Sequence, residues 1–161
     1  DTGEDGHAPL WQAVDELLAE AEIAGIRAHK LGALAARLRR RAGRTVPEPF
    51  LADERGAAVA VVLARPLLEH IRSVCDGPLV LIKGPEVARL YPGSARAFGD
   101  VDLFAADADA AQRALLASGY VEVDDPELFR DHHHLRPLKS PMNGLRVELH
   151  RAPLWPPATA A

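Results

Sequence analysis

Two aspartates, Asp100 and Asp102, stand two residues apart in the run Phe98-Gly99-Asp100-Val101-Asp102-Leu103-Phe104. On an extended chain the side chains alternate, so both carboxylates would project from one face and Val101 and Leu103 from the other. Their Cα atoms would then lie about 6–7 Å apart, close enough for the carboxylates to share one divalent cation or to bridge two. Like charges on one strand face repel, and a divalent cation is the usual compensation. The motif reads as a metal site, against the plainer alternative of a strand edge with two solvated acids. Arg146-Val147-Glu148-Leu149-His150 alternates in the same way, with Arg146, Glu148 and His150 on one face. If its strand neighbours the first, Glu148 comes beside Asp102 as a third metal-binding acid or as a base for an attacking hydroxyl; otherwise it is an ordinary amphipathic hairpin strand. Lys83-Gly84 is the third feature. A lysine and a glycine at a strand-to-helix junction suit a phosphate, through a mobile charge, close backbone approach and free helix N–H groups. The same pair serves equally as a simple turn.

These residues need elements to hold them. Apolar spacing predicts helices over about Leu10–Ile23, with Gly25 breaking the pattern, over Ile26–Ala42, and over Leu51–Val74, where Pro66 should kink or divide the chain. The signal then changes. Leu79–Ile82 is a short apolar run with the look of a buried strand. A short helix over Glu86–Tyr91 follows, with Pro85 at its start, then a strand over Asp100–Ala105 and an amphipathic helix over Asp107–Ser118. Further strands are predicted at Tyr120–Val123, His133–Leu138 and Leu145–His150, the last two joined through Asn143-Gly144, a hairpin signal. Pro126–Asp131 suggests a helical turn. The expected fold class is α/β (α+β): a mixed β-sheet core flanked by helices, with residues 1–76 an N-terminal helical segment and 77–155 the core.

Composition narrows the function. The chain has 161 residues, of which 48% are hydrophobic, enough for one compact domain with an appended helical piece. A net charge of −4 gives no basic footprint for duplex DNA and argues mildly against an RNA substrate. Cys75 is the only cysteine, so no disulfide framework is available within the chain, which suits a reducing cytoplasm. Its place near a helix end predicts a buried thiol rather than a nucleophile. No apolar run reaches membrane-spanning length, and no signal peptide precedes the first helix. The start at Asp1 and the end in Pro-Pro-Ala-Thr-Ala-Ala suggest that part of the natural protein, including its C-terminal side, is missing. Arg37, Arg39, Arg40 and Arg41 read as a solvated helix end that suits the helix dipole. His132, His133 and His134 alternate on a strand, so all three cannot easily share one metal; a zinc site with His150 is the lesser reading, beside one histidine near the acids and the others solvated. Trp11 and Trp155 read as packing residues.

Taken in order, these motifs resemble the nucleotidyltransferase superfamily that includes DNA polymerase β, with its glycine turn opening a helix, Asp-x-Asp strand and later single acid. The match is closer to the bacterial family described as uncharacterised nucleotidyltransferases: Lys83-Gly84, Tyr91-Pro92, Arg96, Gly99-Asp100-Val101-Asp102-Leu103 and Val147-Glu148-Leu149-His150, across about Leu79–Leu154. The resemblance implies Mg²⁺ (or Mn²⁺) held by Asp100, Asp102 and Glu148. It implies a nucleoside triphosphate such as ATP held by Lys83, Gly84, Arg96 and Gly99, and transfer of its nucleoside monophosphate to a small-molecule, protein or RNA acceptor with release of pyrophosphate. Pro85, where the superfamily has Ser or Gly, lacks both N–H and hydroxyl. That departure, with the short C-terminus, keeps open a non-catalytic binding or regulatory module; a toxin–antitoxin component acting on RNA is a third reading, since related folds serve there.

Overall fold

The computed structural model describes residues 8–129 and 134–151. The chain is of mixed α and β type and clusters into two compact units, one of residues 1–61 with 87–98 and one of residues 62–86 with 99–161.

The first unit is helical. It contains α1 (Ala8–Glu20), α2 (Ile23–Ala28), α3 (Gly32–Arg41) and the N-terminal part of α4 (Glu48–Val74). Leu18, Ile26, Leu34, Ala35, Leu38 and Phe50 form its core, with Trp11 and Tyr91 packed against it and their ring centroids 5.7 Å apart. The single helix expected over Ile26–Ala42 is instead two. Lys30 adopts φ 57°, its N–H donates to Arg27 O, and the Leu31 N–H donates to Ile26 O. This is a Schellman closure with lysine at the position glycine usually takes. Gly25 lies inside α2, not at a break. α3 restarts at Gly32, directly beneath Asp53. A Cβ on Gly32 would sit 2.0 Å from Asp53 Oδ2, and Arg27 holds that carboxylate through two hydrogen bonds of 2.9 and 3.1 Å. Of the arginines expected to be solvated, Arg40 pairs with both oxygens of Glu54 at 2.5 and 2.6 Å.

α4 runs through Pro66 without division. Proline lacks the helical N–H, and its ring crowds the carbonyl of the preceding turn. In the second unit the Asn143 side chain donates to Leu63 O at 3.1 Å, supplying a partner to a carbonyl of that turn. Asn143 Oδ1 also accepts from the Leu145 N–H, and Gly144 takes φ 74°, so the dipeptide that marked the hairpin closes it.

The second unit carries the sheet: β1 (Leu79–Leu81), β2 (Asp100–Ala105), β3 (Val121–Glu122), β4 (Leu138–Lys139) and β5 (Arg146–His150), in the order β1-β2-β5-β4-β3. β2 and β5 are parallel and the other pairings antiparallel. Parallel neighbours need a long crossover, supplied here by α6 (Ala108–Ala117) with β3 and β4. Asp107 caps α6 by accepting from the Ala110 N–H at 2.8 Å. One sheet face is apolar. Val101, Leu103 and Ala105 of β2 and Val147 and Leu149 of β5 pack on Leu67 and Ile71 of α4 and on Ala111 and Leu115 of α6. Alternation then leaves the other face to Asp100, Asp102, Glu148 and His150. β3 is shorter than the periodicity predicts, β4 begins only at Leu138, the last residue of the strand expected over His133–Leu138, and α5 is the four residues Pro85–Ala88 rather than Glu86–Tyr91. Among the described residues, no helix is long and apolar enough to cross a membrane.

Candidate active site

Asp100, Asp102, Glu148 and His150 share the polar sheet face, and Lys83 and His134 reach the same cluster. The parallel register sets Asp102 opposite Glu148, Asp100 opposite Arg146 and Phe104 opposite His150. Asp102 is 3% exposed, an unusual place for a carboxylate without strong partners. His150 Nε2 lies 2.9 Å from its Oδ1 and Lys83 Nζ 3.5 Å from the same oxygen. Asp102, Glu148 and His150 each offer a ligand atom, all within 4.8 Å of one another. Asp100 stands one rung away, half-buried, while its neighbour Arg146 pairs with Asp124 Oδ2 at 2.9 Å.

Burial pushes the Glu148 carboxyl above its ordinary range; the charges of Asp102 and Asp100 push the same way, and His134 and His150 oppose them. His134 Nε2 faces Glu148 Oε2 at 3.7 Å, and its Nδ1 lies 2.8 Å from Leu135 O. A carbonyl only accepts, so Nδ1 bears the proton in that bond. The His134 and His150 rings are 5.3 Å apart, and their backbones form an antiparallel bridge. His134 thus lies at the acidic cluster; His132 and His133 fall outside the described residues, as does Trp155.

Lys83 and Gly84 follow β1. Gly84 takes φ 82°, a conformation other residues rarely adopt. Because α5 is a single turn, its dipole adds little at this junction. Gly99 is exposed and anchors the start of β2, its carbonyl accepting from the Arg146 N–H at 3.2 Å. Arg96 belongs to the helical unit, where its N–H donates to Ser94 O. The contacts that alternation alone missed are those of the two histidines. His150 shares a face with Glu148 in the bare pattern, but its reach to Asp102 depends on which strand lies next to β5.

An open mixed sheet, covered by helices on one face and gathering acids from two parallel strands beside a Lys-Gly turn on the other, is the layout of a nucleotidyltransferase-type domain. Comparison with family models assigns it more narrowly: the chain belongs to the family described as uncharacterised nucleotidyltransferase, whose model matches residues 8–161. Comparison with curated proteins and with solved structures gives no match.

Proposed function

We propose that this chain transfers a nucleoside monophosphate from a nucleoside triphosphate to an acceptor, with divalent-metal assistance. One observation carries the reading: Asp102 and Glu148 stand opposite each other on parallel strands, with Asp100 on the adjoining rung and Lys83 at the same cluster. The donor set fits a hard divalent cation. It is oxygen-rich and carries more negative charge than Lys83 alone offsets, and Mg²⁺ or Mn²⁺ favours a few carboxylates plus substrate phosphates. Asp100, Asp102 and Glu148 would hold the metal, which when bound would neutralise charge on the phosphates.

The chain's own groups do the rest. Lys83 and the backbone turn at Gly84 bind the triphosphate, with Gly99 as a further candidate. An acceptor oxygen attacks the α-phosphorus and the bond to the bridging oxygen breaks; pyrophosphate leaves with that electron pair, and the acceptor's proton passes to Glu148 or to solvent. ATP is the first triphosphate to test. Small molecules, protein hydroxyls and RNA ends are the acceptor classes, in a bacterial cytoplasm, within the wider polymerase β-like superfamily. Pro85 at the first position of α5 occupies a place where an N–H has no helical partner in any case. The decisive experiment incubates the chain with Mg²⁺ or Mn²⁺ and each α-³²P-labelled triphosphate in turn, with pooled acceptors. Label transfer abolished by Asp102→Asn supports the reading. Absence of both transfer and triphosphate binding refutes it.

A further inference from the structure

His150 is 2% exposed and shares its deep rung with Phe104, one step inside the Asp102–Glu148 rung. Its Nε2 lies 2.9 Å from Asp102 Oδ1. An ionised carboxylate can only accept, so the bond requires the proton on Nε2. A nitrogen that carries that proton has no lone pair for a metal. In that tautomer His150 sits at the acidic cluster without ligating through Nε2, although its position alone would admit it. Lys83 Nζ approaches the same Oδ1 at 3.5 Å. One oxygen of Asp102 is thus engaged from two sides, and the described contacts leave Oδ2.

We propose that His150 is a positioning residue for the nucleotidyl-transfer site: its Nε2–H fixes the Asp102 carboxylate by holding Oδ1, so that Oδ2 is the oxygen offered to the metal. The inference rests on the metal-assisted reading above and deepens it. A buried carboxylate on one strand has few side-chain torsions, but without a second anchor it swings between rotamers. A donor behind it selects one of them before the metal arrives, as the outer partners of metal ligands do elsewhere. The burial of His150 suits this part. A residue that met substrate phosphates would have to open toward solvent, whereas one that braces Asp102 from behind need not.

The test uses the full chain and Mn²⁺ alone, read by electron paramagnetic resonance and by calorimetry. His150→Leu should weaken Mn²⁺ binding about 10–100-fold, the range for loss of an outer partner. His150→Gln, whose amide N–H can still donate to Oδ1, should restore most of the affinity. Electron spin echo spectra of the unaltered chain should lack the strong ¹⁴N coupling of a directly bound imidazole. That coupling, or Mn²⁺ binding unchanged in His150→Leu, overturns the proposal. Nitrogen-15 NMR of the metal-free chain gives a second readout that needs no variant to fold: His150 should carry its proton on Nε2, and an Nδ1–H tautomer overturns it. If the unaltered chain binds no Mn²⁺, the metal reading itself fails; if it binds Mn²⁺ and only the histidine results go against expectation, the positioning role alone fails.

Discussion

Asp102 and Glu148 face each other across the parallel pairing of β2 against β5. The pairing matters because a parallel register keeps successive rungs in step. Asp100, Asp102 and Phe104 match Arg146, Glu148 and His150 in order, so charge gathers on two adjoining rungs and the third is closed by an aromatic ring and a buried imidazole. Asp102→Asn keeps the shape and removes the charge. It should lower transfer by at least about 100-fold, the scale for losing a charged group that acts in the transition state. Its circular dichroism and melting temperature should stay near those of the unaltered chain. Steady-state rates with a labelled triphosphate check this, and a variant that retains a tenth of the activity would refute the assignment.

Lys83 stands apart from the acids in its exposure. About half of its side chain is open to solvent while that of Asp102 is closed. An exposed ammonium with a long reach suits a triphosphate better than a fixed structural pair. Lys83→Met should therefore raise KM for the triphosphate about tenfold, equivalent to about 1.4 kcal/mol, and change the melting temperature little. A changed kcat with unaltered KM would place the lysine at the reacting phosphorus instead.

The placement of the site was legible in the sequence because strand periodicity is a local signal. Two alternating segments, Asp100–Leu103 and Arg146–His150, announce their own faces, and their apolar partners Val101, Leu103, Val147 and Leu149 announce the core. What the pattern leaves open is non-local. Nothing in either segment says that β5 lies parallel to β2, and only that pairing brings His150 Nε2 to Asp102 across 48 residues of chain. The break between α2 and α3 was illegible for another reason. A lysine in the left-handed region carries no compositional mark, and the flanking Gly25 and Gly32 lie within helices. The end of α5 is illegible too: Pro85 marks where a helix can start, but nothing at that position says that it stops after one turn.

Gly32 offers a test of the helical unit alone. At an ordinary helical position, Ala is favoured over Gly by about 0.5–1 kcal/mol. Here the new methyl group would meet Asp53 Oδ2 at 2.0 Å, and Arg27 holds that carboxylate with two bonds. The clash should win, so Gly32→Ala should destabilise by about 1–3 kcal/mol. Removing the obstruction as well, in Gly32→Ala with Asp53→Ala, should return the helix preference and give a clear positive coupling in a double-mutant cycle. Denaturant unfolding of the four chains measures it. A Gly32→Ala chain as stable as the original would show that Asp53 swings aside freely.

Cys75 predicts the alkaline behaviour of the sheet unit. The thiol is buried in the core beside α6, with Sγ 3.7 Å from Ala111 O. Burial, and then the charge of Asp76, raises it above its ordinary value of 9.0. Burial likewise raises the Tyr120 phenol above 10.0. For each group the folded state keeps its proton longer than the unfolded chain does. The stability linked to it is therefore complete below the unfolded value and is lost as pH rises toward the folded one. The melting temperature should hold steady up to the thiol's ordinary value of 9.0 and then fall. In Cys75→Ala the fall should begin later, in the tyrosine range, on top of a small loss from the vacated volume. The same burial should shield the thiol from a disulfide reagent at neutral pH, so that modification waits on opening of the α4–α6 core. Reaction at the speed of a free thiol in the folded chain would contradict both expectations at once, because a thiolate that forms readily there could not be linked to unfolding.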